Sequence, residues 1–493
     1  MTDRNKFAAK EGGFAWFFSL LGAVVRYGNN IILTRMLGAT SFGLYALANT
    51  VVTVASLATS FGLPSAMVHF VAKEKEREDY SSLVWFIKEG IKITSIVSVS
   101  STVIFLLLTP LISNKIYQKE GLIIPLFGLG LSIPFLSLYN VKSSILQGFM
   151  RIRKRVFIEK IAHPLIFSIL LLVGAFFLRR MEFVLFCYLL SAGIVFFIAY
   201  LWIKKEIKKI PPAEQLKEKK YKELFSFSFP ILFLNFLSFF ILQSDILIMG
   251  FFREPKEVGI YAIASRLALG VGMPADSLGA SLAPQYSALT GKNDFSGLSN
   301  LYKTSTRWIF ITSAIVSIVL IFGSKLILSL FGKDFQNGVI ALCILTSGQL
   351  FSAAFGTNGT LITQTGHPKI NLFNAIFIGI FNVVVLLFMV PKYGAIGAAS
   401  ASAASLIILN IIRSLEIDII LKISPWNKSI LKPLFALVAS FATGYLLYNF
   451  SSIAALIASF ALFAILLLIL GFEKEDKEMF QKILQKLNMA QNG

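Results

Sequence analysis

The stretch GAVVRYGNN, residues 22–30, places Arg26 near the middle of an apolar run that extends from Gly12 to Leu37. A bilayer core of about 30 Å is crossed by about 20 apolar helical residues, so this run has the length of a membrane span. Similar runs recur along all 493 residues, of which 56% are hydrophobic and 15% charged, and the mean hydropathy is +0.74. Soluble proteins have a different balance. The sequence therefore predicts an all-α polytopic membrane protein with a permanent cation inside its first span.

Breaks at Gly, Pro and charged residues divide the apolar runs into about fourteen predicted transmembrane helices. These predicted spans are residues 12–37, 41–70, 83–112, 120–149, 160–179, 181–203, 223–252, 257–289, 302–331, 337–365, 370–391, 394–421, 431–450 and 452–471. An even number of spans places both termini on one side. One alternate set of connections, which includes 73–77, 151–160 and 204–223, holds most of the Lys and Arg, so the positive-inside rule makes that set cytoplasmic. We therefore expect a multi-pass protein of the cell membrane with both termini in the cytoplasm.

The net charge of +20 follows from this topology, so its expected partners are membrane lipids and not nucleic acid. The sequence contains no GxxxxGK[ST] phosphate loop, no HExxH zinc motif and no GxSxG nucleophile motif. His69, His163 and His367 are far apart and lack metal-ligand spacing. We therefore predict no catalytic residues, no metal site and no cofactor, and we expect that the protein is not an enzyme.

An internal repeat organises the chain. Residues 42–48 read FGLYALA and residues 258–264 read VGIYAIA, an offset that also pairs Asn29 with Asp245. An even number of predicted spans separates the copies, so both cross the membrane in the same direction. Parallel repeats of this kind occur in secondary transporters, whose substrate sites lie between two lobes. Chance similarity is the alternative, because Gly, Ala, Ile and Leu dominate membrane sequences.

The repeat predicts the domain organisation. We expect one six-helix lobe over residues 1–211 and a second over 212–424, the two parallel-repeat bundles. Two additional transmembrane helices then occupy 425–471. Residues 472–493 form a tail whose apolar residues recur at helical spacing, which predicts a cytoplasmic amphipathic helix.

Four longer stretches resemble one family. They are RYGNNIILTRMLGATSFGLYALA (26–48), SSILQGFMRIRKR (143–155), YAIASRLALGVGMPADSLGASLAPQYSAL (261–289) and GQLFSAAFGTNGTLITQTGHPKINL (348–372). In their order and spacing, the chain resembles the polysaccharide flippases of the multidrug/oligosaccharidyl-lipid/polysaccharide exporter superfamily. The resemblance implies a MATE-like fold, a V-shaped pair of six-helix bundles with two added helices. It also implies a cargo, an oligosaccharide on a polyprenyl pyrophosphate, and partners such as a polysaccharide polymerase and chain-length proteins.

Arg26 suits such a cargo, because a pyrophosphate cannot cross hydrocarbon unaided. A central arginine costs about 2.5–3.5 kcal/mol on insertion, so it should face a cavity or a counter-charge. Its guanidinium can bind phosphate oxygens in bidentate fashion. The resemblance implies pyrophosphate binding by Arg26 and by Arg266, which lies on the predicted eighth span. The alternatives for Arg26 are an ion pair that holds the lobes together and a side chain that reaches an interface.

Lys142, in YNVKSSILQGF, is a further candidate for phosphate contact, and its alternative is a side chain that snorkels to the inner surface. Six further polar residues of the predicted spans can line a sugar path, although hydrogen bonding between helices is the commoner role of such residues. They are Asn235, Gln243, Gln349, Asn358, Asn374 and Asn382.

Two intramembrane carboxylates are candidates for ion coupling or gating. Asp245 lies in QSDILIMG, the repeat counterpart of the first span, and either binds Na⁺ or H⁺, pairs with Arg26, or lies at an interface. Asp276 lies in GVGMPADSLG, where Pro274 should kink the helix and free carbonyl groups nearby. A cation site, a bending point and ordinary packing through small residues stay open for Asp276.

The sequence thus predicts a flippase that moves a lipid-linked oligosaccharide repeat unit to the outer leaflet for cell-surface polysaccharide synthesis, by alternating access. An ion-coupled multidrug or metabolite exporter of the same fold is the alternative. A membrane glycosyltransferase or ligase of the same pathway is a rival of another class, but the predicted outer loops are too short to form a catalytic face.

Overall fold

The computed structural model describes residues 3–175, 180–212, 219–426 and 428–470. Within these ranges the regular structure is helical, with no β-strand. The predicted all-α fold class is therefore confirmed. The predicted amphipathic tail, 472–493, lies outside the described residues.

The chain divides into two compact units, Met1–Gly259 and Ile260–Gly493. The helices of the first unit are α1 (Asp3–Ser60), α2 (Leu63–Glu76), α3 (Tyr80–Leu111), α4 (Ile123–Gly130), α5 (Ile133–Gly148), α6 (Ile152–Val156), α7 (His163–Ala175), α8 (Met181–Ile207) and α9 (Tyr221–Phe252). A π-helical segment, Phe157–Ala162, joins α6 to α7. The lobe boundary at 211–212 comes from the sequence repeat, a different criterion, and stays a prediction.

Helix α10 (Pro255–Ala268) begins in the first unit and ends in the second. The further helices of the second unit are α11 (Met273–Gly291), α12 (Phe295–Phe322), α13 (Ser324–Phe331), α14 (Val339–Ala353), α15 (Asn358–Gln364), α16 (Pro368–Leu421), α17 (Leu431–Tyr448) and α18 (Ser452–Leu470).

Nine helices of the described ranges are long and apolar enough to cross a membrane, or up to eleven if each bent pair is one span. Two of these long helices contain a non-helical glycine: Gly38 (φ 74°) interrupts α1, and Gly394 (φ 57°) interrupts α16. Glycine adopts positive φ without the steric cost that other residues incur. Both glycines lie where the sequence predicts a break between consecutive spans. The total of fourteen spans stays a prediction.

Two further spans are bent. The axes on either side of Gly272 differ by 44°, so the kink predicted beside Pro274 is confirmed. The segments Lys333–Ala353 and Asn358–Gln364 differ by 40°, and Gly356 between them has a φ of 61°. A bend of this kind leaves backbone groups outside the regular helical ladder, which membrane proteins tolerate where protein or a cavity covers them.

Helices α2, α3, α5 and α8 enclose an apolar core in the first unit. There the rings of Phe70 and Phe86 stack with their centroids 4.2 Å apart. In the second unit α12 packs against α17 and α18, and a Cβ on Gly348 would lie only 2.7 Å from the Cβ of Ala403. Small residues let membrane helices approach closely. Van der Waals packing then stabilises the contact, because lipid provides no hydrophobic driving force between helices.

The glycines of the two repeat motifs lie against each other within the first unit. A Cβ on Gly43 would lie 3.0 Å from the backbone nitrogen of Gly259 and 1.7 Å from the carbonyl oxygen of Pro255. A Cβ on Gly259 would lie 2.5 Å from the carbonyl oxygen of Ala39. The motif therefore keeps a glycine in both copies at the point where α1 and α10 cross.

Candidate functional site

Arg26 lies on α1 with its side chain exposed, and its Nη1 atom is 3.5 Å from the carbonyl oxygen of Lys160. Among the described residues Arg26 forms no ion pair. No carboxylate of the described residues pairs with Arg26, and the ion-pair alternative stays open. Pyrophosphate binding by Arg26 stays a prediction.

One face of α1 contacts the start of α7 through polar groups. Gly22, one turn before Arg26, packs against the backbone of Lys160, because a Cβ there would lie 2.1 Å from the Lys160 carbonyl oxygen. One turn after Arg26, the buried Asn29 donates from Nδ2 to the carbonyl of Pro164 at 2.9 Å and accepts from the hydroxyl of Ser168. These contacts fix the position of α1 along α7.

Asp245, the repeat counterpart of Asn29, is also buried, with 7% of its surface exposed. Its Oδ1 accepts from the backbone N–H of Ile246 at 2.8 Å. The repeat thus places a buried polar side chain at the same position on α1 and α9. A coupling or gating role for Asp245 stays a prediction.

Arg266 and Asp276 flank the 44° bend in the second unit. Arg266 is half-buried near the end of α10, and Asp276 is exposed in the first turn of α11. The bend therefore has a cation before it and a carboxylate after it. Their predicted roles, in pyrophosphate binding and in ion coupling or gating, stay predictions.

Lys142 is buried on α5, with 4% of its surface exposed. Its Nζ lies 3.7 Å from the ring centroid of Phe196 and 5.1 Å from that of Tyr200, both on α8. A cation above the face of an aromatic ring is attracted by the ring quadrupole. In this structure the ammonium group is thus held by aromatic rings, and phosphate contact by Lys142 stays a prediction.

The second unit contains two arginines inside predicted spans that the sequence interpretation missed, one buried and one partly exposed. Arg307 is 3% exposed on α12. Arg413 lies on α16 with Nη1 3.0 Å from where a Cβ on Gly359 would be, and its Nε has no hydrogen-bond partner among the described residues. Arg413 lies inside the predicted span 394–421, the same signal that singled out Arg26.

Three of the candidate asparagines hydrogen-bond between helical segments, the commoner of their two expected roles. Asn358 links α15 to α16, and Asn374 and Asn382 link the two parts of α16 on either side of Gly394. Asn358 Nδ2 donates to Oδ1 of Asn410 at 2.9 Å, and Asn374 Nδ2 donates to Oε2 of Glu416 at 2.5 Å. Asn382 Oδ1 accepts from the hydroxyl of Ser405 at 3.0 Å.

Basic connections that the sequence assigns to the cytoplasm meet one another in the first unit. Glu206, with its side chain 6% exposed, lies 2.9 Å from Nζ of Lys154, 3.3 Å from Nε of Arg151 and 3.2 Å from Nζ of Lys209. Lys73 likewise pairs with Glu223 at 2.7 Å. These pairs hold together segments that one membrane face should share.

No group of three or more His, Cys, Asp or Glu side chains in the described part of the chain is arranged to hold a metal ion.

Long apolar helices, two bent pairs and buried polar groups together define a polytopic helical membrane protein. The chain belongs to the polysaccharide biosynthesis protein family, whose pattern it matches over residues 10–284. A second match, to the MatE family, covers residues 230–388.

Two of the similar proteins are named for glycan or polysaccharide biosynthesis. The probable low-salt glycan biosynthesis flippase Agl15 of Haloferax volcanii is 21% identical over 393 residues, 78% of each chain. The capsular polysaccharide biosynthesis protein CapF of Staphylococcus aureus is 30% identical over 185 residues, 36% of this chain and 46% of CapF. The match to stage V sporulation protein B of Bacillus subtilis is 26% identical over 120 residues, and covers 24% of this chain and 23% of that protein.

Solved structures agree on the fold. An inward-facing multidrug resistance MATE transporter of the MOP superfamily superposes with a TM-score of 0.68 at 14% identity, over 83% of this chain and 98% of its own. The lipid II flippase MurJ, in an inward closed conformation, superposes with a TM-score of 0.65 at 16% identity, over 90% and 98%. The protein therefore has the MATE-like fold that the resemblance implies.

Proposed function

We propose that the protein is a flippase that moves a lipid-linked oligosaccharide repeat unit from the inner to the outer leaflet for cell-surface polysaccharide synthesis. The observation that carries the proposal is Arg26, an exposed guanidinium inside an apolar span with no ion pair among the described residues. The family match and the relatives described as flippases support the same conclusion. On this proposal the protein is a transporter and not an enzyme.

The chemistry follows from the cargo. A polyprenyl pyrophosphate carries charge that needs a fixed cation along its path, and an arginine can bind two phosphate oxygens at once. In the proposed cycle of alternating access, Arg26 binds the pyrophosphate while the polyprenyl chain stays in lipid. Arg266 and Lys142 are proposed as further cations of the path.

The remaining parts of the proposal concern ion coupling, membrane localisation and protein partners. We propose that Asp245 and Asp276 couple transport to a gradient of Na⁺ or H⁺ or gate the path. The protein is proposed to lie in the cell membrane with both termini in the cytoplasm, where the basic connections around Glu206 face anionic lipid headgroups. Polysaccharide polymerase and chain-length proteins are its proposed partners.

A multidrug or metabolite exporter is the second candidate. The MatE match over residues 230–388 and the structural likeness to a multidrug resistance transporter favour it. Such an exporter would use the acidic side chains Asp245 and Asp276 for its substrate or coupling ion, and it would have no need of Arg26.

Flipping in proteoliposomes tests the proposal. The measurement is the fraction of a polyprenyl-pyrophosphate oligosaccharide that becomes accessible to an external sugar-modifying enzyme. We expect the wild type to raise this fraction and Arg26→Ala to abolish the increase at equal protein levels. The matched control is Arg35→Ala, which removes an exposed arginine near the predicted outer end of the same span and should retain flipping.

Two outcomes contradict the proposal. If Arg26→Ala flips as fast as the wild type, the phosphate role of Arg26 is wrong. If the wild type does not flip the lipid but extrudes a cationic dye, the protein is an exporter on this fold.

A further inference from the structure

Pro164 removes a donor from the start of α7. In the sequence EKIAHP, residues 159–164, the carbonyl of Lys160 would bond the amide N–H of residue 164 in a regular α-helix. Proline has no N–H, and its ring clashes with the carbonyl four residues earlier. The chain accommodates this with the π-helical turn Phe157–Ala162 immediately before α7. Turns of this kind are rare and occur frequently at functional sites.

Helix α1 uses the carbonyl that Pro164 leaves without its usual donor. Gly22 brings the α1 backbone against Lys160, and Arg26 Nη1 lies 3.5 Å from the Lys160 carbonyl oxygen. Asn29 then binds the carbonyl of Pro164 one turn further along. The guanidinium of Arg26 is thus held on one side, and its Nε and Nη2 atoms have no partner among the described residues.

The same turn presents a second cation. The side chain of Lys160 is exposed and forms no ion pair with a described residue. The adjacent carboxylate, Glu159, is already engaged, because its Oε1 accepts from Arg155 Nε at 2.9 Å and from the hydroxyl of Ser143 at 2.7 Å. The backbone contact at Lys160 therefore brings together two cationic residues, Arg26 and Lys160. Neither forms an ion pair with a described residue.

We propose that Arg26 and Lys160 together form a binding site for a diphosphate, in which Lys160 is the second cation and Pro164 positions Arg26. The inference rests on the proposed function and names the residues of its anion site. A diphosphate has two charged phosphoryl groups, so a planar guanidinium fork and a mobile ammonium suit it better than either cation alone.

Binding of a short diphosphate lipid tests the role of Lys160. The probe is farnesyl pyrophosphate, titrated into the full chain in nanodiscs of zwitterionic lipid. We expect Lys160→Gln to weaken binding about tenfold, the loss of one charge-assisted interaction, and Lys160→Arg to restore most of it. The matched control is Lys205→Gln, an exposed lysine at the end of α8, which should bind as the wild type does.

Competition identifies the source of the anion. Inorganic pyrophosphate should displace the probe from the wild type, which would show that the diphosphate itself is recognised. Nanodiscs rich in phosphatidylglycerol should leave the affinity unchanged within about threefold, as fixed sites are less sensitive than surface charge to lipid composition. If phosphatidylglycerol displaces the probe and inorganic pyrophosphate does not, the site recognises phospholipid headgroups and the diphosphate assignment is wrong.

The positioning role of Pro164 needs a different readout. Pro164→Ala supplies an amide N–H at residue 164. This N–H competes with the Arg26 guanidinium for the carbonyl oxygen of Lys160. We expect Pro164→Ala to bind the probe more weakly at an unchanged thermal midpoint. Adding Arg26→Ala to Pro164→Ala should then reduce the probe affinity by less than Arg26→Ala does in the wild type. Additive losses from the two substitutions would overturn the positioning role.

The outcomes separate the two proposals. If the wild type flips lipid-linked oligosaccharide but binds no farnesyl pyrophosphate, the proposed function stands and this inference is wrong. If the wild type binds the probe and flips lipid-linked oligosaccharide, but Lys160→Gln binds equally well at an unchanged thermal midpoint, the proposed function stands and the two-cation site is wrong.

Discussion

The crossing of α1 and α10 at the repeat glycines predicts a large effect for one methyl group. In Gly43→Ala the new Cβ would lie 1.7 Å from the carbonyl oxygen of Pro255 and 2.6 Å from its carbonyl carbon. Cβ atoms do not approach other atoms closer than 3.0 Å, so the two helices must separate by about 1.3 Å. Both contacts are with backbone, so no side chain can rotate away. We expect a cost of about 1–3 kcal/mol, as for other overpacked interiors.

Gly28 provides the matched control on the same helix. A Cβ on Gly28 would meet no atom within 4 Å, and alanine is the better helix former by about 0.5–1 kcal/mol. Gly28→Ala should therefore be neutral or stabilising. The thermal unfolding midpoints are measured for both variants and the wild type in one detergent. We expect the midpoint of Gly43→Ala to lie below that of the wild type, and the midpoint of Gly28→Ala to equal or exceed it. A midpoint for Gly43→Ala at or above that of Gly28→Ala would refute the close crossing.

Two further predictions concern charged groups near the ends of the membrane spans. Asp79 caps α3, and its hydrogen bonds from the Ser82 hydroxyl and amide lower the pKa of Asp79. Asp79→Ala should cost about 1 kcal/mol at neutral pH. Because the folded pKa is the lower one, this stabilisation is complete above the unfolded pKa of about 3.9 and is lost as pH falls through the folded pKa, so wild-type and variant midpoints should converge below about pH 4. Glu206→Gln should cost about 1–3 kcal/mol, because Lys154 and two further cations lose a buried counter-charge but are themselves exposed enough to rehydrate. The thermal midpoint should fall accordingly, and an unchanged midpoint would show that Glu206 contributes no net stability.

The sequence predicts the fold well where local chemistry decides the structure. Span length, the breaks at Gly38 and Gly394 and the bend beside Pro274 all depend on residues within a few positions of the feature. A break that was missed lies at Phe61 and Gly62, both with positive φ. A Cβ on Gly62 would lie 2.1 Å from the carbonyl oxygen of Ser228 on α9, so this break depends on a helix far away in sequence.

The candidate site shows the same division. Pro164 and Lys160 are visible in the sequence. Because proline has no amide N–H, the sequence alone predicts that the Lys160 carbonyl loses its usual helical donor. That Gly22 and Arg26 lie opposite this carbonyl depends on the packing of α1 on α7, which periodicity does not specify. Arg413 also lies inside a predicted apolar span, so the signal that singled out Arg26 was present for Arg413 and was missed.

Two cations that look alike in the sequence are stabilised in different ways. Lys142 and Arg26 both interrupt apolar runs, and either would be costly if it faced lipid alone. The ammonium of Lys142 is buried over the rings of Phe196 and Tyr200, which provide a favourable partner within the protein. Within the described part of the chain Arg26 has one long contact, to a carbonyl, and its side chain stays exposed. A charge inside a span therefore indicates a ligand site only when its surroundings leave it without a strong partner, and by that criterion Arg26 is the stronger candidate.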